Sequence, residues 1–230
     1  MPKSETSRLP SKLPHMKKSL TFLAVPALFF SFVTYGQKAV FGFTAGATLA
    51  NLHVKEGSSN YSPDSKVGVT AGVLADIPIA DNFNFQPAIN YVQKGAKTDE
   101  PDFNYESKLT VHYVEIPLNF LFKPEMTNMQ LFVGAGPSIA FALSGKEKEN
   151  DNGVRSTYKF KFGDDPDEHD MRRADIGANF IAGIETKTGF IAAVNYNLGL
   201  SNLVPGGSDD GSVKNRYLGL RIGYLLKGGK

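Results

Sequence analysis

Two charged residues sit inside runs that are otherwise apolar at every second position. Glu115 lies in Tyr113–Lys123, YVEIPLNFLFK, where Val114, Ile116, Leu118, Phe120 and Phe122 alternate with Tyr113, Glu115, Pro117, Asn119 and Leu121. Arg221 lies in Lys214–Leu226, opposite the parity of Leu218, Leu220, Ile222, Tyr224 and Leu226. Strand side chains point alternately to two faces, so both charges leave the oily face and project from the other. A carboxylate and a guanidinium enclosed in a narrow interior need each other as partners. That chemistry is a structural ion pair, which the spacing favours, or a gated proton or ion path.

The remaining candidates are less well formed. An acidic run, Asp164, Asp165, Asp167, Glu168 and Asp170, lies in the most charged stretch of the chain. It lacks the alternating oxygen spacing and turn glycine of a calcium loop, so it reads as a solvated loop, with a surface cation site as the minor reading. His112, with Ser107 and Glu106 near it in sequence, is the one grouping that could suggest a hydrolase. A nucleophile, base and orienting acid must share one face, and neighbours on a strand do not. No phosphate loop, dinucleotide fingerprint or zinc spacing is present. The chain has no cysteine, which excludes thiol catalysis, thiolate metal sites and disulfides. No enzyme activity, cofactor or metal is expected.

The elements that must position these residues are strands. Eight segments alternate: Ala39–Ala50, Lys66–Asp76, Asn82–Lys94, Leu109–Phe122, Met129–Ser144, Arg173–Thr186, Gly189–Ser201 and Lys214–Leu226. Each is near or above the ~9–11 residues of a tilted transmembrane strand. The connections Ile77–Asp81, Lys123–Asn128 and Lys187–Thr188 are short, while Asn51–Ser65, Gly95–Lys108, Gly145–Arg172 and Asn202–Val213 are long and polar. Long and short alternate without exception, as in barrels with short periplasmic turns and long external loops. The polar parity is rich in Gly, Asn, Ser and Ala, sizes that fit a crowded lumen, and Phe and Tyr stand near strand ends. These features predict an all-β fold, an eight-stranded antiparallel up-and-down transmembrane barrel of the small type. A soluble lipocalin-like barrel is the architectural rival. Pro117 removes a ladder hydrogen bond, and a bulge near Tyr113–Val114, aiming His112 inward, would reconcile the two halves of its strand.

The N-terminus reads as a targeting signal. Met16-Lys17-Lys18 is a basic start, Leu20–Val33 an apolar run too short to span, and Thr34-Tyr35-Gly36 a cleavage site before Gln37. Domain organisation follows: 1–15 a spare extension, 16–36 a signal peptide, and 37–230 the barrel. Without residues 1–36, the formal charge of +2 becomes −2, with 20 basic and 22 acidic residues. The basicity belongs to the signal, so a nucleic-acid partner is not expected.

GFTAGATLANL (Gly42–Leu52), YVEIPLNFLFK (Tyr113–Lys123), FVGAGPSIAF (Phe132–Phe141), IAGIE (Ile181–Glu185) and YNLGLSNL (Tyr196–Leu203) together resemble the PorT-like outer-membrane β-barrel family. The resemblance covers the mature chain in order. It implies an eight-stranded outer-membrane barrel from a diderm bacterium, and an accessory place in a protein-secretion system. One departure is the ending, which runs past Tyr224 to Lys230 rather than finishing on an aromatic residue. The expected role is structural or interactive, with four external loops presented from the cell envelope. A secretion accessory, a small pore and a barrel hydrolase are the alternatives. Expected partners are outer-membrane lipid and lipopolysaccharide, the barrel-assembly machinery, and envelope or secretion-system proteins.

Overall fold

The alternation folds into strands throughout a computed structural model that describes residues 39–124, 126, 129–207 and 211–227. The extension and the signal peptide assigned from the sequence lie outside the described residues. The strands are β1 (Val40–Glu56), β2 (Ser59–Tyr61), β3 (Asp64–Ala80), β4 (Phe83–Glu100), β5 (Tyr105–Phe122), β6 (Met129–Asp151), β7 (Val154–Lys159), β8 (Ala174–Thr186), β9 (Phe190–Gly199) and β10 (Gly211–Leu225). Eight long strands pair antiparallel in the order β1, β3, β4, β5, β6, β8, β9, β10, and β10 returns to β1 from Gly42↔Leu225 to Glu56↔Gly211. The ring is closed, as the alternating connections require, and its long strands have no open edge at membrane depth. β2 and β7 are short additions, to β1 and β6.

The apolar parity faces out. Val67 is 70% exposed, Phe41 63% and Leu220 62%, whereas Thr48, Asn90, Glu115 and Asn197 are buried inside. A water-soluble barrel would place these faces the other way round. Near the short turns the outer wall carries paired aromatics, Phe83 with Phe122 and Phe85 with Phe120, their ring centroids 5.3 and 5.1 Å apart. This is the interfacial girdle expected from the sequence. Inside, glycine makes room for asparagine directly across the ladder, Gly72 opposite Asn90 and Gly219 opposite Asn195. A Cβ on either glycine would collide with its partner's side-chain oxygen.

The structure corrects the reading of β5. No bulge interrupts it: Leu109, Val111, Tyr113, Glu115, Pro117, Asn119 and Leu121 all face the lumen, and His112 faces out. The extra residue lies in the neighbour. His112 pairs with Ser144 and Tyr113 with Ala142, so β6 bulges at Leu143. Pro117 costs local pairing instead, because the β4–β5 ladder is interrupted between Pro87↔Leu118 and Asn90↔Glu115. Several strands also outrun their predicted ends. β4, β5 and β6 continue beyond the apolar belt as one sheet, edged by β7, where the sequence suggested loops.

Candidate functional site

Parity places Glu115 and Arg221 in the lumen, but their mutual arrangement is indirect. The Glu115 carboxylate lies 3.0 Å from the Lys94 ammonium, and Lys94 lies 3.0 Å from Asp175. The Lys94 and Glu115 side chains are each 1% exposed. Tyr217 donates its hydroxyl to Glu115 at 2.5 Å and accepts from an Arg221 guanidinium N–H at 3.1 Å. Among the described residues no direct ion pair joins Glu115 to Arg221, because the Tyr217 phenol, four residues before Arg221 on the same face of β10, stands between them. Asn215 donates to Asp175 at 2.9 Å and to the Tyr113 hydroxyl at 3.2 Å. Lys94 also lies over the Tyr113 and Tyr217 rings, 5.0 and 5.3 Å from their centroids. Two cations and two carboxylates make this layer neutral.

A second layer closes the end with short turns. Lys123 reaches Asp76 at 2.7 Å and Glu185 at 2.5 Å, and Lys227 reaches the other Glu185 oxygen at 2.6 Å. Asn84 and Gln86 donate to Asp76 at 3.0 and 3.3 Å. This layer is neutral too. Between the layers Asn179 donates to Asn119, Asn195 to Asn179, and Asn197 to Ser138, at 2.9, 3.1 and 2.8 Å. A cavity of about 30 Å³ remains there, lined in part by Asn90, Asn195 and Arg221, large enough for water. The lumen is thus cross-braced rather than open.

Sequence reasoning passed over Lys94, Asp175, Asp76, Lys123 and Glu185. The available signal was parity: Lys94 follows Asn90 by four and Asp175 precedes Gly177 by two, both on the lumen side. At the ends of alternating runs they read as boundary residues.

The structure does not assemble the other candidates. His112 meets the Tyr91 hydroxyl at 2.5 Å on the outer wall, while Ser107 faces inward and donates to Glu147 at 2.5 Å. Glu106 lies 3.7 Å from Lys97. The acidic run is taken up by its own turn, where the Asp167 N–H donates to the Asp165 carboxylate at 2.9 Å. Asp170 accepts from Tyr158 at 2.6 Å and from the Lys161 N–H at 2.7 Å, and these bonds hold its carboxyl below the usual aspartate range. Asp164 lies 4.0 Å from Arg172. Among the described residues no three acidic or histidine groups converge where one cation could sit.

Solved structures to which the chain is similar, each at low identity, include the following three. Ail, the attachment invasion locus protein of Yersinia pestis, is 16% identical, with 82% of this chain and 99% of that one covered and a TM-score of 0.42. Neisserial surface protein A is 15% identical, with 83% and 99% covered and a TM-score of 0.44. The N-terminal β-barrel domain of Pseudomonas aeruginosa OprF is 11% identical, with 80% and 97% covered and a TM-score of 0.33. No curated protein matches the chain. A family model described as outer membrane protein beta-barrel domain matches residues 35–204, most of the ring. The closed antiparallel wall, oily outside and polar within, agrees with that match, and the chain belongs to this family of bacterial outer-membrane barrels.

Proposed function

We propose that the protein is a plugged envelope anchor whose working surface lies outside the membrane, in a structural or interaction role. The observation that carries this reading is the lumen: two neutral ion clusters brace it at different heights. The wall supplies anchorage and the sheet formed by the upper parts of β4, β5, β6 and β7 supplies presentation. Within this reading, residues 16–36 act as the export signal, and the barrel-assembly machinery and lipopolysaccharide are the contacts met on the way. A mild-detergent extract tests it. The folded chain should sit in the outer membrane, migrate differently before and after boiling, and bring down a stoichiometric envelope protein. Truncating the Lys146–Lys159 hairpin should release that protein and leave the gel shift intact. If the partner stays bound after truncation, the projecting sheet is not the working surface.

A place beside a secretion machine is the narrower reading, supported by the five stretches that resemble PorT-like barrels. It predicts that cells lacking the protein lose exported proteases from the medium.

A further inference from the structure

The sheet that rises above the barrel has two differently charged faces. Its rows run straight across four strands: Gly95, Thr110, Lys146 and Lys159; then Lys97, Lys108, Lys148 and Thr157; then Asp99, Glu106, Asn150 and Arg155. These rows share one face. The rows between them, Ala96, Leu109, Glu147 and Tyr158; Thr98, Ser107, Glu149 and Ser156; and Glu100, Tyr105, Asp151 and Val154, share the other. The first face holds six cations against two carboxylates, and the second holds four carboxylates and no cation. Strand alternation has sorted the sequence Lys-Glu-Lys-Glu-Asn-Asp at 146–151 into opposite fields.

The cationic face continues the lipid-facing wall. β5 keeps one parity from Phe122 through Val114 and His112 up to Thr110, Lys108 and Glu106. On β6, Lys146 follows Leu143, the last outward apolar residue, by three positions. At ~3.4 Å per residue and a tilt of roughly 45°, Lys146 stands about 7 Å above the oily belt and Lys148 about 12 Å. The polar zone of a bilayer begins within that height. Lys97 is engaged by Asp99 at 2.8 Å, but among the described residues Lys108, Lys146, Lys148, Arg155 and Lys159 have no ion-pair partner. A depression of about 340 Å³ opens at the edge of this face, where Lys108, Lys148 and Arg155 line it together with Glu106 and Glu149.

We infer that this face binds the phosphate groups of the outer-leaflet glycolipid, with Lys108, Lys146 and Lys148 as its centre. This rests on the anchor reading, since only a membrane-embedded barrel sets the face at headgroup height. The field is cationic only toward lipid, whereas the inward face would repel phosphate. Continuity with the belt favours lipid over a soluble acidic protein, which would have no reason to meet the outer wall alone.

The test uses the full chain, folded in detergent and immobilised, with purified lipopolysaccharide as the probe. Retention should fall about tenfold or more when Lys108, Lys146 and Lys148 are all changed to Gln, and should fall as salt rises. Lys187→Gln, at the opposite end of the barrel, should change nothing. The unaltered chain should also retain chemically dephosphorylated lipopolysaccharide far less well, a comparison that decides the matter even if the triple variant does not fold. Equal retention of the two lipids, or full retention by a folded triple variant, overturns the inference. Binding of polyglutamate but not of lipopolysaccharide, with the same dependence on the three lysines, overturns it in favour of an acidic protein. Outer-membrane fractionation and the boiling shift report separately on the anchor reading, so the two can fail independently.

Discussion

Burying an ammonium group costs several kcal/mol unless opposite charges are fixed around it, and Lys94 has two carboxylates at 3.0 Å. Removing it leaves Glu115 and Asp175 buried without a cation in contact. Lys94→Met should therefore lower the unfolding free energy by about 3–5 kcal/mol in a urea titration of the refolded barrel. Arg221 touches the cluster through one bond to a phenol, so Arg221→Ala should cost less than Lys94→Met. It should still cost more than Arg216→Ala, whose side chain lies on the outer wall. Equal losses for the two arginines would mean that the lumen layer does not depend on Arg221. That Glu115 and Arg221 point inward was legible in the sequence, because a period of two leaves no other choice once the oily face is assigned. Their partners were not legible. Which lumen groups meet depends on strand stagger and on side-chain reach across the ring, and neither is written in parity.

At the scale of elements, all eight long strands could be read from alternation, and the upper extensions could not. Apolar alternation stops at the membrane boundary, so the polar stretch beyond Ser144 looked like loop. Its Lys-Glu alternation was itself a period-two signal, carried by charge instead of hydrophobicity. The bulge was placed in the wrong strand for a related reason. β5 changes character above Glu115 because its lumen face turns apolar with Leu109, Val111 and Tyr113, which imitates a change of register. The true extra residue, Leu143, sits in a run that reads smoothly. Deleting Leu143 would remove the bulge and let Ser144 follow Ala142 directly, with Ser144 still opposite His112 and Lys146 still opposite Thr110, so both charged faces keep their sides. Trypsin should then cut the Lys146–Lys161 segment no faster than in the unaltered chain, and the deleted variant should still show a gel shift on boiling. Faster cleavage would show that the bulge itself is needed to hold this extension.

For the molecule as a whole, the braced lumen predicts that planar bilayers containing the folded chain show no steady single-channel conductance. Reproducible open steps would require both charge layers to part, and would count against the plugged reading. The same layers bear on how the barrel is built. In the upper layer Lys94 and Glu115 come from one hairpin, β4–β5, and balance at once; in the lower layer Asp76 of β3 finds Lys123 at the end of β5. β8 then adds two further carboxylates, Asp175 and Glu185, with no new lumen cation. The compensating charges arrive last, with Arg221 on β10 and Lys227 just after it. Within these two layers, with Lys66 of β3 left out of both, a sheet that halts before its final strand therefore carries a net charge of −2, and one that seals β10 onto β1 carries none. Electrostatic completion coincides with closure, which gives the growing barrel a built-in penalty against stopping one strand short.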